Sequence, residues 1–512
     1  MNKMFKLSKS HSRALRRACF AAIAIPVGLL LASCARGFDE EETFASNVHD
    51  SQLASPELSK SSFSSVVNAD GTESIRVTWD VVEGAGGYYC HVEDVDDPAN
   101  PIVIYDGEVD GVSFLFDKED DTKYSVSVKT LGNEKLNNTA APDPTVIAYS
   151  TMIEAQVIPV GTDIAEFVKS HLIDTEDEQA FELEAGGNYT CNSEVDFGMH
   201  KVTFRGNKIH HPIVTFGYDG VIRTGAGLKV KWINFDATEQ NSRGLFECTS
   251  NPSDDLKGGN FGYADKGYYL KDPILFEDCM FKNVKACLFY TGVAVWGVED
   301  VRVVNCIVQL DNNGTKYGDA AVLCAINSSA GYPVGGSHTW YGAIRNITIK
   351  ESTLYNIQSN SKNRVIRFQN RDLSKLFASA SGSCTLTDNT FIMTFSDKEF
   401  ANNTPNNAAY TITFNNNVTY YCARLQKFLQ GNCTIINSVD KNTSYTTITS
   451  GDGARFANDF KFVTEEDAFG LADVDAVKAW LQPLDLTKEN GGVNFKAKGA
   501  ISSTIGDPRW LK

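Results

Sequence analysis

Val301-Arg302-Val303-Val304-Asn305-Cys306-Ile307-Val308 is one copy of an eight-residue pattern that decides how the larger part of this 512-residue chain folds. The pattern reads as an apolar residue, any residue, an apolar residue, two mostly polar residues, a Cys, Asn or Ser, and an apolar residue two further on. It returns over Leu228 to Phe235, Ile274 to Phe281, Ile347 to Leu354, Cys384 to Phe391 and Ile412 to Thr419, with a weaker copy starting at Cys433. Its sixth position holds Cys279, Cys306, Ser352, Asn389, Asn417 and Ser438 in turn. A bend that stacks small or amide side chains inside a coil selects such residues.

The starts at 228, 274, 301, 347, 384, 412 and 433 lie 21 to 46 residues apart, a base period in the twenties stretched by insertions. That is the period of a solenoid. Val, Ile, Thr and Phe alternating with period two make its rungs β rather than helical, and the fixed Leu and Asn frame of leucine-rich repeats is missing. Rungs stacked about 4.8 Å apart then give a parallel β-helix.

Upstream, residues 56 to 150 read as short strands with turn signals. Ile75, Val77 and Trp79 alternate with polar neighbours, Gly84-Ala-Gly-Gly87 marks a turn, and Tyr124, Val126 and Val128 alternate again. This suits one small β-sandwich. Trp79 and the run from Tyr124 resemble those of a fibronectin type III module, in which both residues belong to the core. From Asp163 an acidic N-cap candidate, with Glu three residues on and Ile164, Phe167, Val168 and Leu172 at helical spacing, predicts one amphipathic helix that caps the open end of the β stack.

The first 33 residues carry six cations (Lys3, Lys6, Lys9, Arg13, Arg16, Arg17) and no acid, then an apolar run to about Leu31. That is a secretory signal. The run is too short to span a bilayer, which takes about 20 residues. It ends in Leu30-Leu-Ala-Ser-Cys34. This resembles the lipobox of bacterial lipoproteins, which implies acylation of Cys34, an outer-membrane anchor and a mature chain that starts there. Residues 34 to 55, with Asp39-Glu-Glu-Glu42, are too polar to fold and read as a flexible tether. The acidic run resembles the export tag of surface lipoproteins in glycan-foraging bacteria.

Removing the signal leaves 47 − 6 = 41 basic residues against 64 acids, a net charge of −23. Such a chain lacks the basic footprint of a nucleic-acid binder. Ten cysteines remain after Cys19 and Cys34, with no spacing that reads as a disulfide scaffold or zinc site. Asp311 to Asp319 reads as a turn rather than a calcium loop, its Gly being misplaced.

The region from about Val157, with the closing stretches Phe495-Lys-Ala-Lys-Gly499 and Ile505-Gly-Asp-Pro-Arg-Trp510, resembles the right-handed, single-stranded β-helices of the pectin-lyase-like superfamily. It is similar in particular to surface lipoproteins of polysaccharide-utilisation loci that join a fibronectin type III module to β-helix domains of unknown function. The whole chain is then all-β: signal 1–33, tether 34–55, sandwich 56–150, β-helix 151–512. The resemblance implies an acidic, pectic polysaccharide as partner, together with membrane lipid at Cys34 and other glycan-utilisation proteins, at the cell exterior.

A second strand follows each repeat. In Arg364 to Arg371, Ile366 and Phe368 face the core, which turns Arg367, Gln369 and Arg371 outward; by the same alternation Glu247 and Tyr290 point out. Glu247, Tyr290 and Arg367 are therefore expected to line one outer face, with Arg364 and Lys427 beside them. Guanidinium groups suit a uronate carboxylate. Glycine-flanked aromatics in the long insertions, Tyr263, Tyr268, Trp340 and Tyr341, are candidate sugar platforms; the alternative is that they pack as a lid over the solenoid. The Arg-x-Pro-x-x-Arg signature of many pectate lyases is absent, so binding without a cofactor is favoured over β-elimination. In the lyase alternative Arg367 or Lys427 is the base and Glu247 holds a cation such as calcium. A third reading is an adhesive or structural solenoid that binds a protein.

Overall fold

A computed structural model describes residues 47–263, 267–292, 294–312, 320–325, 342–358, 363–368, 372–394, 399–420, 422, 425, 428–429, 431–437, 443–445, 461–462, 474–481, 483–496 and 505–511. The signal segment, Cys34, the acidic run after it and Ser438 lie outside the described residues. The chain divides into two units between Thr151 and Met152.

In the first unit, two antiparallel sheets face each other across one core. Strands Phe63–Val67, Glu73–Thr78 and Ser113–Asp117 form one sheet; Ile102–Val109, Tyr88–Asp94, Lys123–Thr130 and Thr145–Ser150 form the other. Period-two alternation puts Ile75, Val77, Cys90, Val92, Tyr124, Val126 and Val128 inside, fully buried. Trp79 closes one end against Tyr88, ring centroids 5.1 Å apart. The Tyr124 hydroxyl accepts the Glu119 N–H at 2.9 Å, so its buried oxygen is satisfied. The expected tether is shorter than its composition suggests. Leu53 is buried, and the backbone from Asp50 to Leu53 bonds Leu136 and Thr139, which ties residues 50–53 to the sandwich.

The second unit is a parallel β-helix of three long sheets, with eleven, ten and seven strands among the described residues. One rung runs through Leu228–Lys231 in the first sheet, Asn234–Asp236 in the second and Gly244–Cys248 in the third, and the next begins at Ile274. Leu228, Ile274, Val301, Ile347, Cys384 and Ile412 stand opposite one another in register, as the repeat requires. The weak copy is displaced: Ile412 pairs with Ile435, two residues after Cys433. Two further rungs precede the repeat, with Gln179 opposite Val202 and Val202 opposite Leu228. Their bends, residues 184–187 and 206–212, are longer than the two-residue bend at 232–233, which hides the pattern.

The bend explains the fifth and sixth positions. Trp232, Asp278, Asn305, Glu351, Asp388 and Asn416 all hold left-handed backbone, φ 51 to 59°. This turns the chain sharply enough for the next side chain to point inward. That sixth residue then links rungs: Asn389 Oδ1 accepts from Ser352 N at 3.0 Å, Asn417 Oδ1 accepts from Asn389 N at 3.1 Å, and Asn389 Nδ2 donates to Ile349 O at 2.8 Å. These groups are wholly buried, where an unpaired amide costs about 1–3 kcal/mol.

Helix α1, Ile164–His171, buries Ile164, Ala165 and Val168. Its N-cap Asp163 accepts from Ala165 N and Glu166 N, and also from Thr190 Oγ1 and Asn192 N of the first rung. The described residues of 474–511, including helix α2 (Val474–Trp480), lie across the outer face of the ten-stranded sheet. Val477, Leu481, Leu484, Phe495 and Trp510 cover Met280, Ile307, Tyr355, Ile392 and Tyr420 there. Asp507 fixes the segment: Thr353 Oγ1 donates to its carboxylate at 2.7 Å, and its N–H reaches Thr390 Oγ1 at 3.1 Å.

Candidate functional site

Among the described residues the seven-stranded sheet carries one outward row that crosses all seven strands: Asp196, Arg223, Glu247, Tyr290, Cys324, Arg367 and Asn402. The expected trio of Glu247, Tyr290 and Arg367 therefore shares a row. The expectation that this row faces solvent needs correction. Glu247 is 6% exposed, Tyr290 2% and Arg367 8%, and Arg364, at 5%, pairs with Glu399 at 3.3 Å. Chain entering the sheet folds over it. The Arg243 guanidinium lies 4.9 Å from the Tyr290 ring centre, and Ala286, Ala320 and Ala321 pack with Cys287, Tyr290 and Cys324 as a small second core. Outward register does not ensure exposure when connecting segments lie on the face.

Glu247 sits inside this cover. Gly244 N donates to Oε1 at 2.9 Å and Arg223 Nε to Oε2 at 3.2 Å. Burial holds its carboxyl above the ordinary range, with these two partners acting against that shift. Arg223 also pairs with Glu194, two residues before its register partner Asp196, so Glu194, Arg223 and Glu247 form an acid–base–acid ladder. Such a carboxylate is bonded from both sides and shielded from a polymer in solution.

Tyr263 and Tyr268 are half-buried rather than open platforms. The insertion that carries them folds back on the eleven-stranded sheet, where Tyr263 meets Tyr269 at 4.6 Å and Phe377 at 5.7 Å, and Tyr268 meets Trp296 at 5.6 Å. They serve as a lid over the solenoid. Lys427, Gln369, Arg371, Trp340 and Tyr341 lie outside the described residues. Among the described residues no group of three or more His, Cys, Asp or Glu is placed to hold a metal ion.

What the sequence reading missed is a groove of about 640 Å³ between the long bend 206–212 and the closing segment. Ile209, Ile213, Met280, Ile307 and Leu486 give it an apolar floor. Lys208, His210, His211, Asn188 and Arg509 stand around it. The signal was Lys208-Ile-His-His-Pro212, cations and imidazoles concentrated in a bend, but its partners arrive from nearly 300 residues away.

Fold and register define a parallel β-helix whose outer rows run across successive rungs. Residues 7–188 match a family model, DUF4992, described as a domain of unknown function, and residues 187–357 match a second, DUF4957, described in the same way. No curated protein matches. A solved structure of pectate lyase PelI from Erwinia chrysanthemi in complex with tetragalacturonic acid is similar at 10% identity, over 58% of this chain and 84% of that one, with a TM-score of 0.13. A likeness that slight does not bear on function.

Proposed function

We propose that the protein is a lipoprotein held in the outer membrane through Cys34, facing the cell exterior, whose β-helix binds an acidic polysaccharide for a glycan-utilisation system. In this reading the first unit is a fibronectin type III-like spacer, and α1 caps the first rung. The observation that carries the polymer clause is the wall of the eleven-stranded sheet. Asn346, Ser383, Thr411 and Thr434 stand in register on successive rungs, and Thr348, Thr385 and Thr413 form a second row beside them. These side chains are half-buried to exposed. A surface whose hydroxyls repeat at strand spacing suits a ligand that itself repeats. The covered state of Glu247 and Arg367 weighs for binding over β-elimination.

The test is affinity electrophoresis of the mature chain in gels containing polygalacturonate, pectin or neutral galactan, with ultraviolet assay of unsaturated products. Retardation by the acidic gels without new absorbance is expected. Unsaturated products that vanish in Arg367→Ala would establish the lyase instead, and retention on proteins alone would leave the adhesive reading.

A further inference from the structure

On the outer face of the eleven-stranded sheet, Thr348, Thr385, Thr413 and Ile436 stand opposite one another on successive rungs, a straight line along the axis of the coil. We propose that this line holds a single linear sugar chain in extended form, laid along the axis with one sugar residue per rung and read through its hydroxyls. The inference rests on the polysaccharide reading and adds to it the shape of the ligand, its direction and the side chains that touch it.

The line is built to meet something outside the protein. The three Thr side chains are half-buried, and among the described residues no hydrogen bond within the protein engages their hydroxyls. The flanking row differs. Asn346 Oδ1 accepts from Ser383 N and from Ser383 Oγ, both at 3.1 Å, and Asn346 Nδ2 donates to Glu299 O at 3.0 Å. The flank is therefore bonded internally, while the central hydroxyls keep their donors and acceptors for a ligand. Branching at Cβ makes Thr stiff at χ1, so a ligand that bonds these hydroxyls orders little that is not already ordered.

Spacing selects the ligand. In-register residues on neighbouring strands lie about 4.8 Å apart, so the line from Thr348 to Ile436 covers about 14 Å. A pyranose linked through opposite corners of its ring advances the chain by nearly one such step, whereas a coiled or branched glucan presents no matching repeat. Along a strand the outward positions fall about 6.6 Å apart. That direction ends at Lys350 and Thr387, where the left-handed bends at Glu351 and Asp388 turn the chain away. Only the axial direction offers a longer track.

The charges agree with a reader of hydroxyls. Arg302, next in the row before Thr348, pairs with Asp300 of its own strand at 2.6 Å, and Lys350 pairs with Glu351 at 3.0 Å. The line itself is uncharged, so the carboxylates of an acidic chain face water. Ile436, 47% exposed at the far end, and the Thr methyls give the C–H face of the sugar an apolar surface.

The experiment titrates the mature full chain with di-, tri-, tetra- and hexagalacturonate, and with maltohexaose as a coiled glucan, while the gels above report binding to polymer. Affinity should rise with length as far as the tetramer and then level off, with little response to added salt and none to maltohexaose. Thr385→Val, which keeps the shape and β preference of the side chain, should weaken the tetramer about threefold to tenfold, and Thr385→Ser should restore it. A second change in the same row, Thr385→Val with Thr413→Val, should deepen the loss; a second change on the same rung, Thr385→Val with Thr387→Val, should not. Thermal melts of each variant confirm the fold. Equal losses from the row pair and the rung pair overturn the axial direction, and affinity abolished by salt overturns reading through hydroxyls. Maltohexaose bound as tightly as hexagalacturonate overturns the extended form. Polymer binding that every variant shares equally with the wild type overturns this site and leaves the polysaccharide reading standing. A wild type that binds neither polymer nor oligomer overturns both.

Discussion

Arg223 and Glu247 stand opposite each other on adjacent rungs, and the guanidinium donates to a carboxylate that is almost wholly enclosed. The pair is the inner part of a three-residue ladder, with Glu194 at its exposed end.

Its pH behaviour follows from the direction of the shift. Burial raises the Glu247 carboxyl above its ordinary 4.5, so the folded state holds a proton that the unfolded chain has released. The resulting stability is fully present below 4.5 and is lost as pH rises through the folded value. Relative to Glu247→Gln, the wild type should lose melting temperature as pH climbs from 4.5. A difference that stays flat, or rises, from pH 4 to 7 refutes this.

The stacked amides set a second expectation. Asn389→Ala leaves Ser352 N and Ile349 O without their buried partners. At about 1–3 kcal/mol for each orphaned group, a loss of about 2–6 kcal/mol is expected in urea unfolding. A cost under about 1 kcal/mol would mean that backbone pairing alone holds the rungs.

Glu351 tests the bend. It holds φ 51° without the short side chain that favours this conformation, and its ion pair with Lys350 is exposed. Glu351→Asn should stabilise by about 0.5–1 kcal/mol, whereas Glu351→Val should destabilise by about 1–2 kcal/mol. Equal melting temperatures for the two variants would show that the bend carries no strain.

Trp510 anchors the closing segment, buried with its Nε1 donating to Thr353 Oγ1 at 2.7 Å. Trp510→Ala should cost about 3–5 kcal/mol of local stability. The change should appear as rapid proteolysis within residues 474–511 and as dye binding to the uncovered face of the ten-stranded sheet. Protection equal to that of the wild type would show that Asp507 alone secures the segment.

The six strong copies of the repeat could be read from the chain because the left-handed fifth residue and the stacked sixth impose a rule on each rung. The rungs at Gln179 and Val202 could not, since longer bends carry no such rule. Register likewise placed Glu247, Tyr290 and Arg367 in one row, because side chains alternate strictly along a strand. Their burial was not legible. It depends on where Arg243, Ala320 and Glu399 settle, which has no periodicity. The groove was hidden for a related reason: Lys208 and Arg509 meet only after the coil is wound.

The clasp of Asp507 on Thr353 joins residues 154 positions apart. A ribosome must therefore deliver more than a hundred further residues before one flank of the coil acquires its permanent cover. Throughout that interval Ile307, Tyr355 and Ile392 present a greasy strip to whatever accompanies the nascent polypeptide, so the demand on chaperones comes late in synthesis. Protease pulses on chains arrested before residue 474 would time that window.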